Sequence, residues 1–219
     1  NGDSAAAGVG LAGAGNFYED IAGSDSQGFD PTTAADGLDA YTNALDLIAN
    51  QDEYDVNLVL LPGIIGSLHA TITSKAIDVC EDRGDCFAII DPVAYNSTLT
   101  AVTTQAATRD SNFAAMYWPW VKVPDSQVGT QRWVPPSVVL GGIYAFNDKV
   151  AHPWFAPAGL NRGGITTAIQ AERKLTQGNR DDLYDSNVNP IATFPGQGVT
   201  VFGQKTLQKK ASALDRINV

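Results

Sequence analysis

The sequence predicts an α/β fold, a mostly parallel sheet flanked by helices. Two observations predict it. Short, near-continuous apolar runs end at turn residues: residues 56–61 before Pro62-Gly63, and residues 86–90 before Asp91-Pro92. Strands buried on both faces read this way. Between the runs lie segments whose apolar residues recur three and four apart, the spacing that gathers side chains on one side of a helix. Strands alternating with helices are what parallel crossovers require.

Taken in order, residues 1–37 are rich in Gly, Ala, Ser, Thr and Asp without a period. They read as a loop or extended segment belonging to the core. Residues 38–219 read as one α/β domain. Leu38, Tyr41, Leu45 and Ile48 form an apolar stripe, which predicts a helix over 38–49. A buried strand over 56–61 follows, then a helix over 67–82 with Leu68, Ile72, Ala76 and Val79 on one face. A second buried strand spans 86–90, and a weaker helix 99–108. Residues 114–120 read as a third strand or extended segment, and Pro119 places it near an edge or a bulge. Pro135-Pro136 precedes a helix over 137–147. Gly163-Gly164 leads into a predicted helix over 165–175. Asn189-Pro190 and Pro195-Gly196 read as turns around 191–194, and 199–202 as a late strand.

Bulk properties exclude several classes. The chain has 219 residues and a formal net charge of -10. So acidic a balance argues against a nucleic-acid backbone or an anionic membrane surface as partner. No apolar run approaches the ~20 residues a spanning helix needs. Cys80 and Cys86 are the only cysteines. A disulfide fits their spacing, but two free, partly buried thiols are the expectation for a protein made inside cells.

The chemical motifs are weak. Gly8, Gly10 and Gly13 match a dinucleotide-binding glycine pattern, yet no strand precedes them and Gly15-Asn16 breaks the helix that should follow. Neither of the two histidines, His69 and His152, lies by a nucleophile elbow; Gly66-Ser67 lacks its flanks. Two cysteines with two distant histidines are too few for zinc. Glu81-Asp82 and Asp181-Asp182 lack calcium-loop spacing and read as solvated charge. Asn96-Ser97-Thr98 fits a glycosylation triplet, which matters only in a secretory pathway that nothing here indicates. No catalytic, cofactor or metal residue is therefore assigned. All four tryptophans, Trp118, Trp120, Trp133 and Trp154, fall within 40 residues beside Tyr117. They read equally as a core layer or as a contact surface.

An ordered set of short motifs fills the second half. Arg132-Trp133-Val134-Pro135-Pro136-Ser137 is followed by Trp154-Phe155-Ala156-Pro157-Ala158-Gly159-Leu160-Asn161-Arg162-Gly163. Asn187-Val188-Asn189-Pro190-Ile191, Pro195-Gly196-Gln197-Gly198-Val199 and Val201-Phe202-Gly203-Gln204-Lys205-Thr206-Leu207 come next, and the chain ends Asp215-Arg216-Ile217-Asn218-Val219. This set resembles the tail sheath proteins of contractile-tailed, myovirus-type bacteriophages. Residues 1–110 match only loosely. The family motif falls on Trp133, Pro135, Pro157, Gly159, Arg162, Gly163, Asn189, Pro190, Gly198, Gly203, Thr206, Arg216 and Asn218.

The resemblance implies a subtilisin-like sheath core without a catalytic site, in a structural protein that is no enzyme. It implies subunits stacked as hexameric rings around a tail tube, contracting to drive the tube through the host envelope. The implied partners are other sheath subunits, the tail tube protein, and baseplate and tail terminator proteins, in a virion tail assembled in the bacterial cytoplasm. A bacterial contractile injection system is the related alternative; an α/β hydrolase or nucleotide-binding enzyme is the unrelated one. Trp118, Trp120, Trp154 and Lys205 are the candidate interface residues, and exposed Lys205 and Arg216 suit carboxylates of a neighbour. Family members usually carry further N- and C-terminal arms, so this chain is expected to be a core fragment, truncated at both ends and monomeric alone.

Overall fold

The computed structural model describes residues 30–32, 37–127, 129–152 and 154–217. The order is α1 (Asp39–Ile48), β1 (Leu58–Ile65), α2 (Ala70–Arg83), β2 (Phe87–Asp91), α3 (Leu99–Ala107), β3 (Ala114–Trp118), β4 (Val121–Asp125), β5 (Thr130–Val134), α4 (Ser137–Val150), β6 (Gln170–Ala171), α5 (Gln177–Asp185), β7 (Val188–Phe194), β8 (Gly198–Val201) and a 3-10 turn over Ala213–Asp215. The main sheet runs β1-β2-β3-β7-β8. Its first four strands are parallel, and β8 returns antiparallel on β7. A small antiparallel sheet, β5-β4-β6, lies apart from it. The predicted mixed α/β architecture is what the chain adopts.

The pleat divides the core in two. Val59, Ala88, Ile90, Ala114, Met116, Trp118 and Val188 point to one face, where α1, α2, α3 and α5 cover them. Ile89, Ala115, Tyr117, Ile191 and Val201 point to the other, against α4 and the small sheet. Successive residues serve opposite layers, which is why these strands read as unbroken apolar runs. The α1 stripe packs as its spacing requires: Leu45 is buried, and Leu38, Tyr41 and Ile48 lean on the same layer. In α2, Ile72, Ala76 and Val79 are buried, but Leu68 precedes the helix and is exposed.

Four expectations are corrected. Residues 165–175 are not helical. The Ile165, Ile169 and Glu172 amides donate to Val199, Lys122 and Trp120 carbonyls at 2.8 Å, so donors a helix would need serve the two sheets instead. Asn189 and Pro190 are not a turn but lie within β7, buried. The missing proline N–H is tolerated because the ladder with β3 ends at the pair Trp118 and Pro190. The third strand, β3, is central rather than at an edge, and Pro119 follows it across a cis Trp118-Pro119 bond. β1 does not stop at Pro62-Gly63 but continues through them with a register shift between Leu60 and Ile65. It lies at the end of the sheet order, the position where proline is admissible.

Asp91 ends β2 fully buried. Its carboxylate accepts the Ser137 N–H at 3.0 Å and the Ser137 hydroxyl at 2.5 Å, holding the first turn of α4. Burial pushes its pKa from 3.8 up to about 6, and the two Ser137 bonds only partly offset this. A raised carboxyl pKa contributes stability that is complete below the unfolded value and lost as pH rises through the folded one. The window is therefore pH 4 to pH 7. Asp91→Asn keeps the shape and removes the charge. Relative to the wild type, the variant is expected to gain up to about 3 kcal/mol between pH 4 and pH 7. Urea unfolding of both proteins across that range checks it; a constant difference would refute it.

Candidate assembly surface

The motif residues of the second half brace one end of the sheet. Residues 156–165 run beside β8. Gly159 N–H donates to the Val201 carbonyl at 2.8 Å, Val201 N–H to the Gly163 carbonyl at 2.7 Å, and Ile165 N–H to the Val199 carbonyl at 2.8 Å. Gly163 is buried where any side chain would collide: a Cβ would stand 2.5 Å from the Val201 carbonyl oxygen. Pro157 is buried in the same segment, and Gly159 takes a φ of 86°. Arg162 Nε donates to the Ala156 carbonyl at 3.3 Å and its guanidinium sits 4.7 Å from the Phe155 ring centre. Gly196 and Gly198, each with a φ of 75°, supply the positive φ values of the β7-β8 turn.

Beyond β8 the chain is tied back by side chains. Asn189, fully buried, accepts the Lys205 N–H at 2.7 Å and donates its amide to the Lys205 carbonyl at 2.8 Å. Gly203 packs so closely on it that a Cβ would lie 2.8 Å from Asn189 Oδ1 and 2.9 Å from Pro190 Cδ. Thr206 donates its hydroxyl to the Leu214 carbonyl at 2.8 Å, and Leu207 N–H reaches the Ala114 carbonyl at 2.9 Å. Lys205 and Arg216 pair across an isolated bridge. Asn218 lies outside the described residues, as do Gly8, Gly10 and Gly13.

These braces frame a cleft of about 500 Å³ whose walls include Arg162, Arg180, Tyr184, Phe202 and Gln204. Cations stack on aromatic rings around it. Lys205 Nζ is 4.3 Å and the Arg216 guanidinium 5.7 Å from the Tyr184 ring centre. Arg180 lies 5.3 Å from Phe194 and 5.9 Å from Phe202. Arg216 pairs with Asp215 at 2.8 Å. Among the described residues Arg162, Arg180 and Lys205 make no ion pair. Partial burial and then the neighbouring Arg216 charge lower the Lys205 pKa. A carboxylate entering the cleft meets cations already held in place by rings, an arrangement suited to charge-assisted bonds.

The tryptophans divide between core and surface. Trp118, a candidate interface residue, is 1% exposed in β3 and belongs to the core. Trp120 is partly buried; its indole N–H donates to the Val93 carbonyl at 3.0 Å. Trp133 on β5 lies 5.3 Å from the Tyr95 ring, and buried Pro135 follows it into α4. Trp154 is 62% exposed and stacks at 4.3 Å on His152. Sequence reasoning missed Arg83, whose buried side chain donates to the Ile48 and Tyr54 carbonyls and pairs with Asp85 at 2.7 Å. Its isolation between acidic residues gave no periodic signal.

The remaining chemical groups are occupied structurally. His69 precedes α2, and its Nδ1 accepts the Ile65 N–H at 2.9 Å. Cys80 and Cys86 are free and buried, their sulfurs 3.1 Å apart, and burial raises the Cys80 pKa so that it stays a thiol. Among the described residues no group of three or more His, Cys, Asp and Glu is placed to hold a metal, and no helix is long and apolar enough to cross a membrane.

The family model for the phage tail sheath protein central domain matches residues 37–207. The tail sheath protein of Vibrio phage KVP40 is 30% identical, over 84% of this chain and 31% of its own length. That of Enterobacteria phage T4 is 29% identical, over 85% of this chain and 31% of its own. The chain thus spans about a third of these relatives. Among solved structures, a chain of the anti-feeding prophage baseplate superposes with a TM-score of 0.65 at 22% identity, covering 84% of this chain and 46% of that one. The contracted PVC sheath complex, from an extracellular contractile injection system, gives 0.62 at 24% identity, covering 83% and 52%. These likenesses show the shared fold. With the family model spanning most of the chain, the protein belongs to the phage tail sheath protein central-domain family.

Proposed function

We propose that this chain is the core of a contractile phage tail sheath subunit, one that stacks as hexameric rings around the tail tube and contracts to drive it through the host envelope. The observation that carries the reading is the family match over residues 37–207, which contains nearly all the bracing motifs. Its partners are other copies of itself, the tail tube protein, and the baseplate and tail terminator proteins. It acts in the virion tail after assembly in the bacterial cytoplasm. The role is structural and not enzymatic: relatives bear sheath names, and the buried polar groups described above hold backbone in place. The bracing gives the physical rationale. Loops tied to the sheet by buried side chains move as one body, and a lattice that rearranges by moving whole subunits needs such rigidity.

A sheath of a bacterial contractile injection system is the second reading, favoured by the solved structures of such systems that share the fold. Electron microscopy of the protein that carries this domain, at its full natural length, tests the class. Striated tubes or stacked rings are expected; dispersed monomers at high concentration, with or without tube protein, would refute it.

A further inference from the structure

The charge of this acidic chain is unevenly placed. Residues 39–85 hold nine carboxylates and only two basic residues, Lys75 and Arg83. Arg83 is buried and bound to Asp85, and Lys75 pairs with Asp46 at 2.5 Å. Lys75 also lies near Asp78 and Asp82, and Arg109 near Asp78, but neither makes an ion pair with Asp78, Glu81 or Asp82 among the described residues. Asp78, Glu81 and Asp82 are exposed on α2, and their spacing puts them on one helix face. Residues 156–219 reverse the balance, with eight cations against five carboxylates. Two of the cations, Arg162 and Arg180, line the aromatic cleft beside Asp181, and two more, Lys205 and Arg216, stack on the Tyr184 ring that forms part of its wall, with Asp185 and Asp215 near them.

The topology separates the two patches. α1 and α2 cover the β1-β2 end of the main sheet. The cleft lies at the β7-β8 end. A subunit therefore presents an acidic helix face at one end and a cationic cleft at the other. Two unlike, complementary patches on separate ends produce a head-to-tail contact, which closes into a ring or continues as a helix depending on the rotation between copies.

We infer that the cleft around Arg180 and Lys205 receives the acidic α2 face, Asp78, Glu81 and Asp82, of a second copy of this chain. This rests on the sheath reading and names the surfaces through which its subunits meet. The occupant is another copy because the complementary surface is on the same molecule and is a rigid helix. Aromatic stacking keeps the cations extended before docking, so little side-chain freedom is lost on contact. Such a contact loosens as salt rises, because partly exposed charges are screened.

Charge exchange in the full-length protein tests it, with electron microscopy and the pelletable fraction as readouts and thermal unfolding as the folding control. Arg180→Glu with Lys205→Glu is expected to lower the assembled fraction by about tenfold or more, because like charges then face each other. Asp78→Lys with Glu81→Lys and Asp82→Lys should do the same. Mixing the two variants, or combining all five changes in one chain, should restore assembly, since opposite charges meet again. Arg180→Gln with Lys205→Gln gives a milder check if the reversal unfolds the protein, with an intermediate loss expected. Tubes from wild type and both reversed variants alike would overturn this pairing and leave the sheath reading intact. Loss in the cleft variant alone, with no rescue by the α2 variant, would assign the cleft to a different acidic partner and also overturn it. Failure of the wild type to assemble would sink both.

Discussion

Asn189→Ala is expected to destabilise the protein by about 3 kcal/mol, read as a lowered urea midpoint with an unchanged slope. The side chain is fully buried in the central part of the sheet, and both ends of its amide are used on one residue, Lys205. Alanine leaves the partly buried N–H and carbonyl of Lys205 without their Asn189 partner and opens a cavity between β7 and Gly203. Each unsatisfied group costs about 1–3 kcal/mol, which exceeds the net worth of the bonds themselves. Asn189→Asp discriminates shape from chemistry. It is nearly the same size, but it offers a carboxylate oxygen to the Lys205 carbonyl and is expected to be as harmful. The loss also reaches the surface. Lys205 and Arg216 are placed over Tyr184 by the backbone that Asn189 holds, so amide exchange at 204–207 should rise before the sheet unfolds. Unchanged exchange there would mean that the terminal segment is fixed by other contacts.

Elements with one environment along their length were legible. The α1 stripe and the runs that became β2 and β3 face a single kind of surrounding, so a periodicity or its absence described them. Reading failed where tertiary bonds overrule local pattern. Residues 165–175 have helical spacing, yet their amides are claimed by Val199, Lys122 and Trp120, far away in sequence. Asn189-Pro190 has turn chemistry, but the asparagine is consumed by Lys205 and the proline falls where the ladder ends. Helix α5 was missed because only Leu183 of its nine residues is buried, so it shows no stripe. Its available signal was Thr176, whose hydroxyl caps the helix by accepting the Asn179 N–H at 3.3 Å. The β4-β5 hairpin was missed in the same way, its strands being half-exposed and joined across Gly129.

The cleft was legible in its parts and not in its assembly. Arg162, Lys205 and Arg216 stood out in the motif set, but Arg180 and its rings, Phe194 and Phe202, come from α5, β7 and the residue just after β8. Nothing in linear spacing says that these segments converge. The tryptophans show the converse. They are close in sequence but differ in environment, from fully buried Trp118, through Trp120 and Trp133 against Tyr95, to exposed Trp154. Composition alone leaves core and surface equal for such a cluster, and only the burial of each ring separates them.

Two adjacent glycines separate packing from composition. Gly163→Ala is expected to cost about 3 kcal/mol, at the upper end of overpacking effects, whereas Gly164→Ala should change stability by less than about 0.5 kcal/mol. The Gly163 methyl would stand 2.5 Å from the Val201 carbonyl oxygen and 2.9 Å from the backbone N and O of Gly159. All three obstacles are backbone, so no side chain can turn aside, and relief requires segment 159–165 to part from β8. At Gly164 a Cβ meets nothing within 4 Å. Parting would break the bonds from Val201 N–H to Gly163 and from Gly159 N–H to Val201, leaving the outer side of β8 unpaired. An uncovered strand edge is a template for other chains, so light scattering of Gly163→Ala on warming should rise well below the temperature at which Gly164→Ala begins to unfold. Equal melting and scattering for the two variants would show that the 159–165 segment yields without cost. The rigid bracing that the proposed whole-subunit movement calls for would then have to lie elsewhere in the fold.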